Sequence, residues 1–459
     1  MANLSGVIRA LVIAFAVGLL AMTDASAVPS FARQTGFECT ACHLSWLELT
    51  SVGRQFKLGG YTLMKAGTTG DRPLVSFDKD GNPPWLPLAA FIQVAISHTA
   101  KTDSAATDSS LFPKQDELTL QQFSVFLAGR ISDHAGAFAQ WTYDGLAHHS
   151  SIDNVDLRLA DRYKSDSLDV TYGLSLNNSP TMSDIYNSTP VWAFPFASSG
   201  VAPTPAASTL IQEGLAQQVA GLSVYSMWNR TLYAELGGYR TADGAFSVMR
   251  AGVDRSEAAV LDGVAPYWRL ALQHDWDDGA QSAMVGTFGL TANKYPDPMA
   301  ATGPSDKFSD VGVDAQYQYV TDAHRFSGQV AYVRENQDLF GTFAAGGSAN
   351  THNRLSNLNS KLTYYYQSKY GVSVGYQRVT GDADEGLYST GEAVSGSANG
   401  SPDSTAFIFE FNWLPWRDRR FTLQYTAYQK FNGAKTDYDG LGRNASDNNA
   451  LYLLAWFPF

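Results

Sequence analysis

Apolar and polar residues alternate with a period of two through most of the chain after about residue 86. Between residues 311 and 319, for example, Val311 and Val313 lie on one face and Asp314 lies on the other. Because successive side chains of a β-strand point to opposite faces, this pattern predicts half-buried strands. No stretch beyond the N-terminus approaches the ~20 apolar residues of a transmembrane helix, so any membrane-spanning part must consist of strands.

Sixteen strands are predicted, and most reach the ~9 to 11 residues that a tilted strand needs to cross a bilayer. The composition agrees, since 13% of the residues are aromatic and only 17% are charged. The predicted strands lie at residues 86–98, 117–129, 134–143, 152–162, 166–177, 213–226, 230–240, 265–275, 280–293, 309–320, 323–335, 353–367, 370–379, 404–414, 419–431 and 449–459.

The connections between these strands are alternately short and long. Short turns such as residues 321–323 alternate with long loops such as residues 178–212, which are rich in Gly, Ser and Ala. Short turns on one side and long loops on the other are typical of outer-membrane barrels. We therefore predict an all-β fold, a closed antiparallel transmembrane β-barrel with both chain ends in the periplasm. A large periplasmic β-sandwich is the alternative, but it does not explain the turn asymmetry or the terminal Phe459.

An export signal precedes the barrel. Arg9 provides a basic region, residues 11–22 are apolar, and residues 25–27 (Ala-Ser-Ala) have the small-x-small pattern that signal peptidase cuts. The mature protein is therefore predicted to begin at Val28. The chain divides into a signal peptide, a small Gly- and Pro-punctuated haem segment and a barrel, at residues 1–27, 28–84 and 85–459.

The only two cysteines of the chain, Cys39 and Cys42, are followed directly by His43. In this C-x-x-C-H spacing, the thiols add across haem vinyl groups and the histidine supplies the proximal iron ligand. A structural zinc site is the alternative, but it needs four protein ligands and no second cysteine pair exists. The sequence thus predicts one covalently bound c-type haem.

The sixth iron ligand is open. Met64 is the only methionine between residues 28 and 85 and is one candidate. An open position, a ligand from the barrel, or a Met64 that only packs on the haem edge are the alternatives. A short helix is predicted from Leu47 to Leu58, ended by Gly59. Candidate apolar walls of the haem are Phe31, Phe37, Trp46, Leu47, Leu49 and Phe56, and candidate partners of its propionates are Arg33, Arg54 and Lys57.

Charged residues on the polar faces of the strands are predicted to line the lumen. They are Asp156, Arg158, Asp169, Glu235, Arg269, Asp314 and Glu410. Charges inside a wide barrel usually indicate a wet interior, so a metal-guiding role is the less favoured interpretation. The net charge of −12 argues against a nucleic-acid partner. His148 and His149 fall in a predicted outer loop, where an exposed polar pair is favoured over a metal site.

Residues 29–36 (PSFARQTG), 39–43 (CTACH), 48–50 (ELT) and 53–61 (GRQFKLGGY) resemble the fused monohaem cytochrome–porins of the outer membrane. The resemblance covers about residues 29–63 and is only architectural over the barrel. It implies that the C-x-x-C-H residues hold haem and that the protein oxidises Fe(II), as members of that family do. It supplies neither an iron-binding residue in the barrel nor a sixth haem ligand.

The expected function is therefore electron transfer in the bacterial outer membrane. The expected electron donor is extracellular Fe(II), and the expected acceptor is a soluble periplasmic carrier, either a cytochrome or a cupredoxin. The haem segment is expected to plug the lumen, with the barrel completing the haem pocket because about 57 residues build only a small core. The alternatives are a haem-plugged diffusion porin and an electron conduit for a different extracellular donor or acceptor.

Overall fold

A computed structural model describes residues 30–63, 87–101, 115–252, 258–389, 391–416 and 419–459. The predicted signal peptide, Met64 and the predicted domain boundary at residues 84 and 85 lie outside these residues. None of the helices in the described ranges is both long and apolar enough to cross a membrane.

Sixteen antiparallel strands form a closed barrel, as the alternation predicted. Each strand pairs with its neighbours in the chain, and the last strand pairs with the first. Two short strands precede the barrel in the N-terminal segment, β1 His43–Ser45 and β2 Glu48–Leu49. The barrel strands are β3 Leu88–Thr99, β4 Thr119–Ser132, β5 Ala135–Asp144, β6 His149–Lys164, β7 Asp169–Asn177, β8 Val219–Trp228, β9 Leu232–Thr241, β10 Ala265–Trp276, β11 Gln281–Lys294, β12 Asp306–Val320, β13 His324–Asp338, β14 His352–Tyr366, β15 Tyr370–Gly381, β16 Ser404–Trp416, β17 Arg419–Lys430 and β18 Ala450–Pro458.

The outer face of the barrel is apolar and exposed, because alternate residues of each strand point away from the lumen. Large exposed side chains of this face include Leu222, Val224, Leu236, Leu270, Leu272, Val285, Val311, Val313, Leu362, Val372, Val374 and Phe409. Aromatic side chains stand exposed beside the short turns, among them Tyr163, Trp228, Trp276, Tyr319, Tyr366, Tyr370 and Trp416. An apolar band with an aromatic girdle is the exterior of a barrel in lipid, and the protein is an outer-membrane protein.

One predicted strand boundary is wrong by several residues. The strand expected at residues 213–226 is β8, Val219–Trp228, because a π-helical turn at Leu210–Gly214 precedes it. This turn belongs to residues 178–218, which fold into the lumen and are called the inner loop below. The inner loop also contains a 3-10 helix at Pro190–Trp192. Its residue Leu215 is buried in one apolar cluster with Val219 of β8, which explains why it resembles a strand residue in the sequence.

The described part of the N-terminal segment, residues 30–63, also lies inside the barrel and is called the plug. It contains α1 Ser30–Thr35, α2 Cys39–Cys42, β1 His43–Ser45, β2 Glu48–Leu49 and α3 Ser51–Leu58. Helix α3 ends as predicted, before Gly59, but it begins at Ser51 and not at Leu47. The reason is that Leu47 has a φ of 77° in the turn between the paired strands β1 and β2.

Thr50 fixes the start of α3, because its hydroxyl accepts a hydrogen bond from Gly53 N at 3.3 Å.

The remaining short helices lie between barrel strands. They are α4 Phe340–Ala344, α5 Glu385–Tyr388 and 3-10 turns at Gly244–Met249, Asp277–Gly279 and Ala445–Asn448.

Six of the seven predicted lumen charges, all except the half-buried Asp169, are buried under the plug and the inner loop. Arg158 pairs with Asp156 at 2.8 Å, and Arg269 pairs with Asp314 at 2.8 Å and with Asp184 of the inner loop at 3.2 Å. At these six positions the lumen is therefore filled by protein and is not the wet interior that the charges had suggested. Buried charges need partners: Glu410 pairs with Arg420 at 2.8 Å, and Glu235 accepts hydrogen bonds from the hydroxyl groups of Ser223 and Tyr233.

Candidate haem site

The C-x-x-C-H motif forms one helical turn that opens into a strand, with Cys39 and Cys42 in α2 and His43 at the start of β1. The start of α3 holds the motif in place, since Thr50 donates from its N–H to Cys42 O at 2.9 Å and from its hydroxyl to Ala41 O at 2.6 Å. Helix α3 approaches so closely at Gly53 that a Cβ there would lie 2.2 Å from Cys42 O. Only glycine permits this contact.

The motif borders a cavity of about 550 Å³, called the mouth cavity below. The plug and three barrel connections line it together: Glu38, Cys39, Thr40, His43, Leu44, Ser45 and Trp46 from the plug, and Asp322, Arg325, Tyr365, Gln367, Ser368, Lys369, Leu414, Pro415 and Trp416 from the barrel. Because the barrel residues belong to short turns or the strand ends beside them, the cavity lies at the short-turn end. In outer-membrane barrels this end faces the periplasm.

His43 is suited to bind a metal ion. Burial disfavours the charged imidazolium and lowers the pKa of His43 to about 4, so the ring is neutral at physiological pH. Neutral imidazole is the form that ligates iron. Its Nδ1 is buried and has no hydrogen-bond partner among the described residues. The imidazole thus has a nitrogen that the protein itself leaves without a partner.

The two thiols differ in their surroundings. Cys39 lines the mouth cavity, whereas Cys42 is not among the lining residues. Burial, together with the nearby Cys39, raises the pKa of Cys42 to about 11. No disulfide joins the two cysteines. The residues therefore fit a c-type haem in three respects: two thiols that no disulfide joins, a neutral half-buried histidine and a cavity shared with the barrel.

Arg325, the second residue of β13, binds the backbone of the C-x-x-C-H motif from the barrel wall. Its Nη1 donates to Thr40 O at 2.8 Å and to His43 O at 2.9 Å. The sequence did not predict a role for Arg325, Lys369 or Trp416. They lie beside the motif only because the plug sits inside the closed barrel. The sequence contains no local signal for them, since they lie more than 280 residues away from it.

The cations predicted to meet haem propionates do not reach the mouth cavity. Arg54 points into the lumen, where it donates to Gln318 at 2.7 Å and pairs with Asp275 at 3.4 Å. Lys57 donates to the carbonyl oxygens of Met182 and Asp184 in the inner loop, at 3.0 and 2.6 Å. Burial lowers the pKa of Lys57 to about 7. Arg33 donates to Leu88 O at the first barrel strand. These three residues attach the plug to the barrel.

Of the six predicted apolar wall residues, only Trp46 lines the mouth cavity. Phe31 and Phe56 form a separate aromatic cluster, 5.1 Å apart between ring centroids, with Tyr61 stacked on Phe31 at 5.2 Å. Trp46 packs against Trp456 near the end of β18, with ring centroids 4.6 Å apart. The barrel therefore supplies most of the cavity wall.

The described residues contain no group of three or more His, Cys, Asp or Glu side chains placed to hold a metal ion. His148 lies in the turn before β6, and its Nδ1 is 3.3 Å from the Tyr143 hydroxyl. Within the described ranges, the predicted lumen carboxylates Asp156, Asp314 and Glu410 pair with arginines, and Glu235 accepts hydrogen bonds from two hydroxyl groups.

A second cavity of about 430 Å³, called the lumen cavity below, lies between the inner loop and strands β14–β18. Its wall is mostly neutral, with residues such as Ser208, Gln377, Thr405 and Tyr428. Phe194 and Ala197 of the inner loop are held to this wall by amide side chains: Asn359 and Gln377 donate to Phe194 O at 2.7 and 2.8 Å, and Gln424 donates to Ala197 O at 2.9 Å.

The sequence matches no protein family and no curated protein. Among solved structures, the chain is similar to the outer-membrane channel DcaP of Acinetobacter baumannii, with 12% identity, a TM-score of 0.43 and coverage of 81% of this chain and 96% of that one. It is also similar to an anion-selective porin from Comamonas acidovorans (13% identity, TM-score 0.44, 81% and 98% covered) and to OprB of Pseudomonas putida (12% identity, TM-score 0.47, 81% and 93% covered). The barrel assignment rests on the strand pairing and the apolar exterior described above.

Proposed function

We propose that the protein transfers electrons at the outer membrane, from Fe(II) to a soluble periplasmic carrier, through one c-type haem in the mouth cavity. The observation that carries the proposal is the cavity of about 550 Å³ that Cys39 and His43 share with the barrel turns. Cys39 and Cys42 would hold the haem covalently and His43 would ligate its iron. Met64, outside the described residues, remains a candidate for the sixth ligand.

A bound haem would supply a one-electron centre, which suits a one-electron donor such as Fe(II). The residues of the chain orient the site and limit its access to water. Arg325 fixes the carbonyl groups of Thr40 and His43, and Trp46 and Trp416 line the cavity with apolar surface. No acid or base is required for outer-sphere electron transfer, so positioning and reduction potential are the quantities that the protein controls.

The position of the mouth cavity defines how the two electron partners approach. A periplasmic carrier can dock directly at the short-turn end. Strands β13 and β14 each contain 15 residues, and a rise of ~3.3 Å per residue with a tilt of ~40° gives a barrel height of about 38 Å. A donor that stays outside the long loops is therefore too far from a haem in the mouth cavity for direct electron transfer. We propose that Fe(II) enters the lumen before it gives up its electron.

The test begins with the exported protein made in cells that attach c-type haem. The expected result is a haem stain that survives denaturation and disappears in Cys39→Ala combined with Cys42→Ala. Rapid mixing of the oxidised protein with Fe(II) should then give the ferrous haem spectrum, and His43→Ala should abolish the native spectrum while the barrel keeps its heat-modifiable migration on a gel. A haem that stays oxidised in excess Fe(II), yet is reduced by another small donor, would leave an electron conduit but exclude Fe(II) oxidation.

A haem-plugged diffusion porin is the second candidate function, and the lumen cavity favours it. That cavity has a largely neutral wall and a volume of about 430 Å³, enough for small polar solutes. Liposome swelling with the purified protein measures this activity. Solute uptake that is the same with haem reduced, oxidised or absent would support a porin, and liposomes that remain impermeable to small sugars would exclude it.

A further inference from the structure

Arg325 presents an unusual combination of burial and unused hydrogen-bonding capacity. Its side chain is only 8% exposed, yet it lines the mouth cavity. Both of its hydrogen bonds to the protein come from Nη1 and go to the carbonyl oxygens of Thr40 and His43. In the part of the chain that the structure describes, Nε is buried and, like Nη2, donates to no protein acceptor. The guanidinium edge formed by Nε and Nη2 is therefore unused.

No carboxylate of the described residues forms an ion pair with Arg325. The carboxylates at the cavity wall are Asp322 in the adjoining turn and Glu38 in the plug, and both side chains are exposed to solvent. This distinguishes Arg325 from the other lumen arginines Arg158 and Arg269, each of which lies against at least one aspartate. Asp322 attracts Arg325 without forming an ion pair with it. A buried cation that lacks a close counter-ion is costly, and an anion bound beside it would offset that cost.

The Nε and Nη2 edge of a guanidinium matches the two oxygens of a carboxylate, which it binds through two parallel hydrogen bonds. Lys369, in the turn between β14 and β15, adds a second cation to the same cavity wall. The cavity wall therefore combines Cys39 and His43 of the plug, with Cys42 behind them, and two cations of the barrel. A haem carries groups that match both sets of residues: its vinyl groups react with thiols, and its propionates pair with cations.

We propose that Arg325, assisted by Lys369, binds a propionate of the haem and thereby joins the haem to the barrel wall. This inference rests on the proposed function, because it requires haem at Cys39, Cys42 and His43. Arg325 is then a positioning residue that acts in two ways: it holds the backbone of the haem motif through Nη1, and it neutralises an anionic edge of the haem through its other side. Loss of the positive charge favours the oxidised haem, which carries one more positive charge, so the reduction potential falls.

The test compares the reduction potentials of purified, haem-loaded variants in detergent. In Arg325→Gln, the ratio of reduced to oxidised haem at a fixed mediator potential should fall about tenfold, which is about 59 mV for a one-electron couple. Arg325→Lys, which keeps the charge, should restore most of the potential. Arg334→Gln is the matched control, because Arg334 lies on the same strand with an exposed side chain and should leave the potential unchanged.

A purely structural role for Arg325 would alter the yield of attached haem without shifting the potential, and that result would overturn the inference. If Arg325→Gln does not assemble, Lys369→Gln provides the second measurement: Lys369 is exposed, and its loss should lower the same ratio about twofold. An unchanged potential in that variant also counts against the inference. A wild-type protein that carries no covalent haem would instead refute the proposed function, so the two failures can be told apart.

Discussion

On one side of the lumen, strands β6–β13 meet the plug and the start of the inner loop mainly through charged groups, and Lys361 of the neighbouring strand β14 belongs to this side because it pairs with Glu48 of the plug. On the other side, the rest of strands β14–β18 meets the remainder of the inner loop mainly through neutral amides. On the first side, Arg54 of the plug pairs with Asp275, and Arg269 of the wall pairs with Asp184 of the inner loop. On the second side, Gln377 and Gln424 donate to backbone carbonyls, and a cavity of about 430 Å³ remains.

The difference indicates that the two sides of the barrel have different roles. Buried charges that depend on one another make a rigid, specific attachment, since the removal of one partner leaves the other uncompensated. Neutral hydrogen bonds contribute less and leave a loop easier to displace. The β6–β13 side is therefore suited to hold the haem segment in one position, and the β14–β18 side is suited to admit a solute or an ion. Four predictions test this comparison.

The largest expected difference is between two insertions of tryptophan. Ala271 on β10 is buried in a cluster with Leu58, Tyr225 and Tyr233, so Ala271→Trp has no space and should abolish heat-modifiable, folded protein. Thr426 on β17 lines the lumen cavity, so Thr426→Trp should fold normally. In that variant the rate of solute uptake into liposomes should fall severalfold. Equal folding of both variants would show that the two sides are packed alike.

The next largest effect is expected for Arg269→Gln. This change leaves Asp184 and Asp314 without their cation, and both side chains are fully buried. Loss of one partner from such a cluster should lower the free energy of unfolding by about 3 to 5 kcal/mol. Urea unfolding in detergent measures it. Arg240→Gln removes the exposed pair with Asp243 and serves as the control, with no measurable loss expected.

Most of the barrel was predictable from the sequence, because strand periodicity is local. The alternation of Val311 and Val313 with Asp314 on β12 appears in the structure as exposed and buried positions. The error at residues 213–218 has a physical cause: Leu215 is apolar because it packs in one buried cluster with Val219 of β8, and no local pattern separates such an inward loop from a strand. The C-x-x-C-H motif was also found directly, since its chemistry depends only on local spacing.

The surroundings of the motif were not predictable, because barrel closure sets them. Arg54 and Lys57 are close to His43 in the sequence, and proximity in the chain suggested a role at the haem. Helix α3 instead directs them into the lumen, toward Gln318 and the inner loop. Arg325 is far from the motif in the chain but contacts it through Thr40 O and His43 O. Without the register of the strands and the depth of the plug, its role could not be inferred.

A smaller effect is expected for Tyr61→Phe, which removes one attachment of the plug to the charged side. The Tyr61 hydroxyl donates to Asp156 Oδ2 at 2.6 Å, and both residues are buried. A hydrogen bond to a charged group contributes about 1.5 to 3 kcal/mol. The expected result is a loss of this size in the free energy of unfolding and easier proteolysis of residues 30–63 in spheroplasts. Tyr172→Phe, on the exposed outer face, should change neither quantity.

The smallest effect is expected for Gln377→Ala, on the neutral side. Its side-chain N–H is one of two that donate to Phe194 O, and Asn359 keeps the other bond at 2.7 Å. The free energy of unfolding should therefore fall by only about 0.5 to 1.5 kcal/mol. Because the inner loop borders the lumen cavity at Phe194, a weaker attachment should nevertheless raise solute uptake into liposomes. Asn336→Ala, an amide truncated on the exposed face of β13, is the control. A destabilisation as large as that of Tyr61→Phe, with unchanged uptake, would mean that the β14–β18 side holds its loop as firmly as the charged side holds the plug.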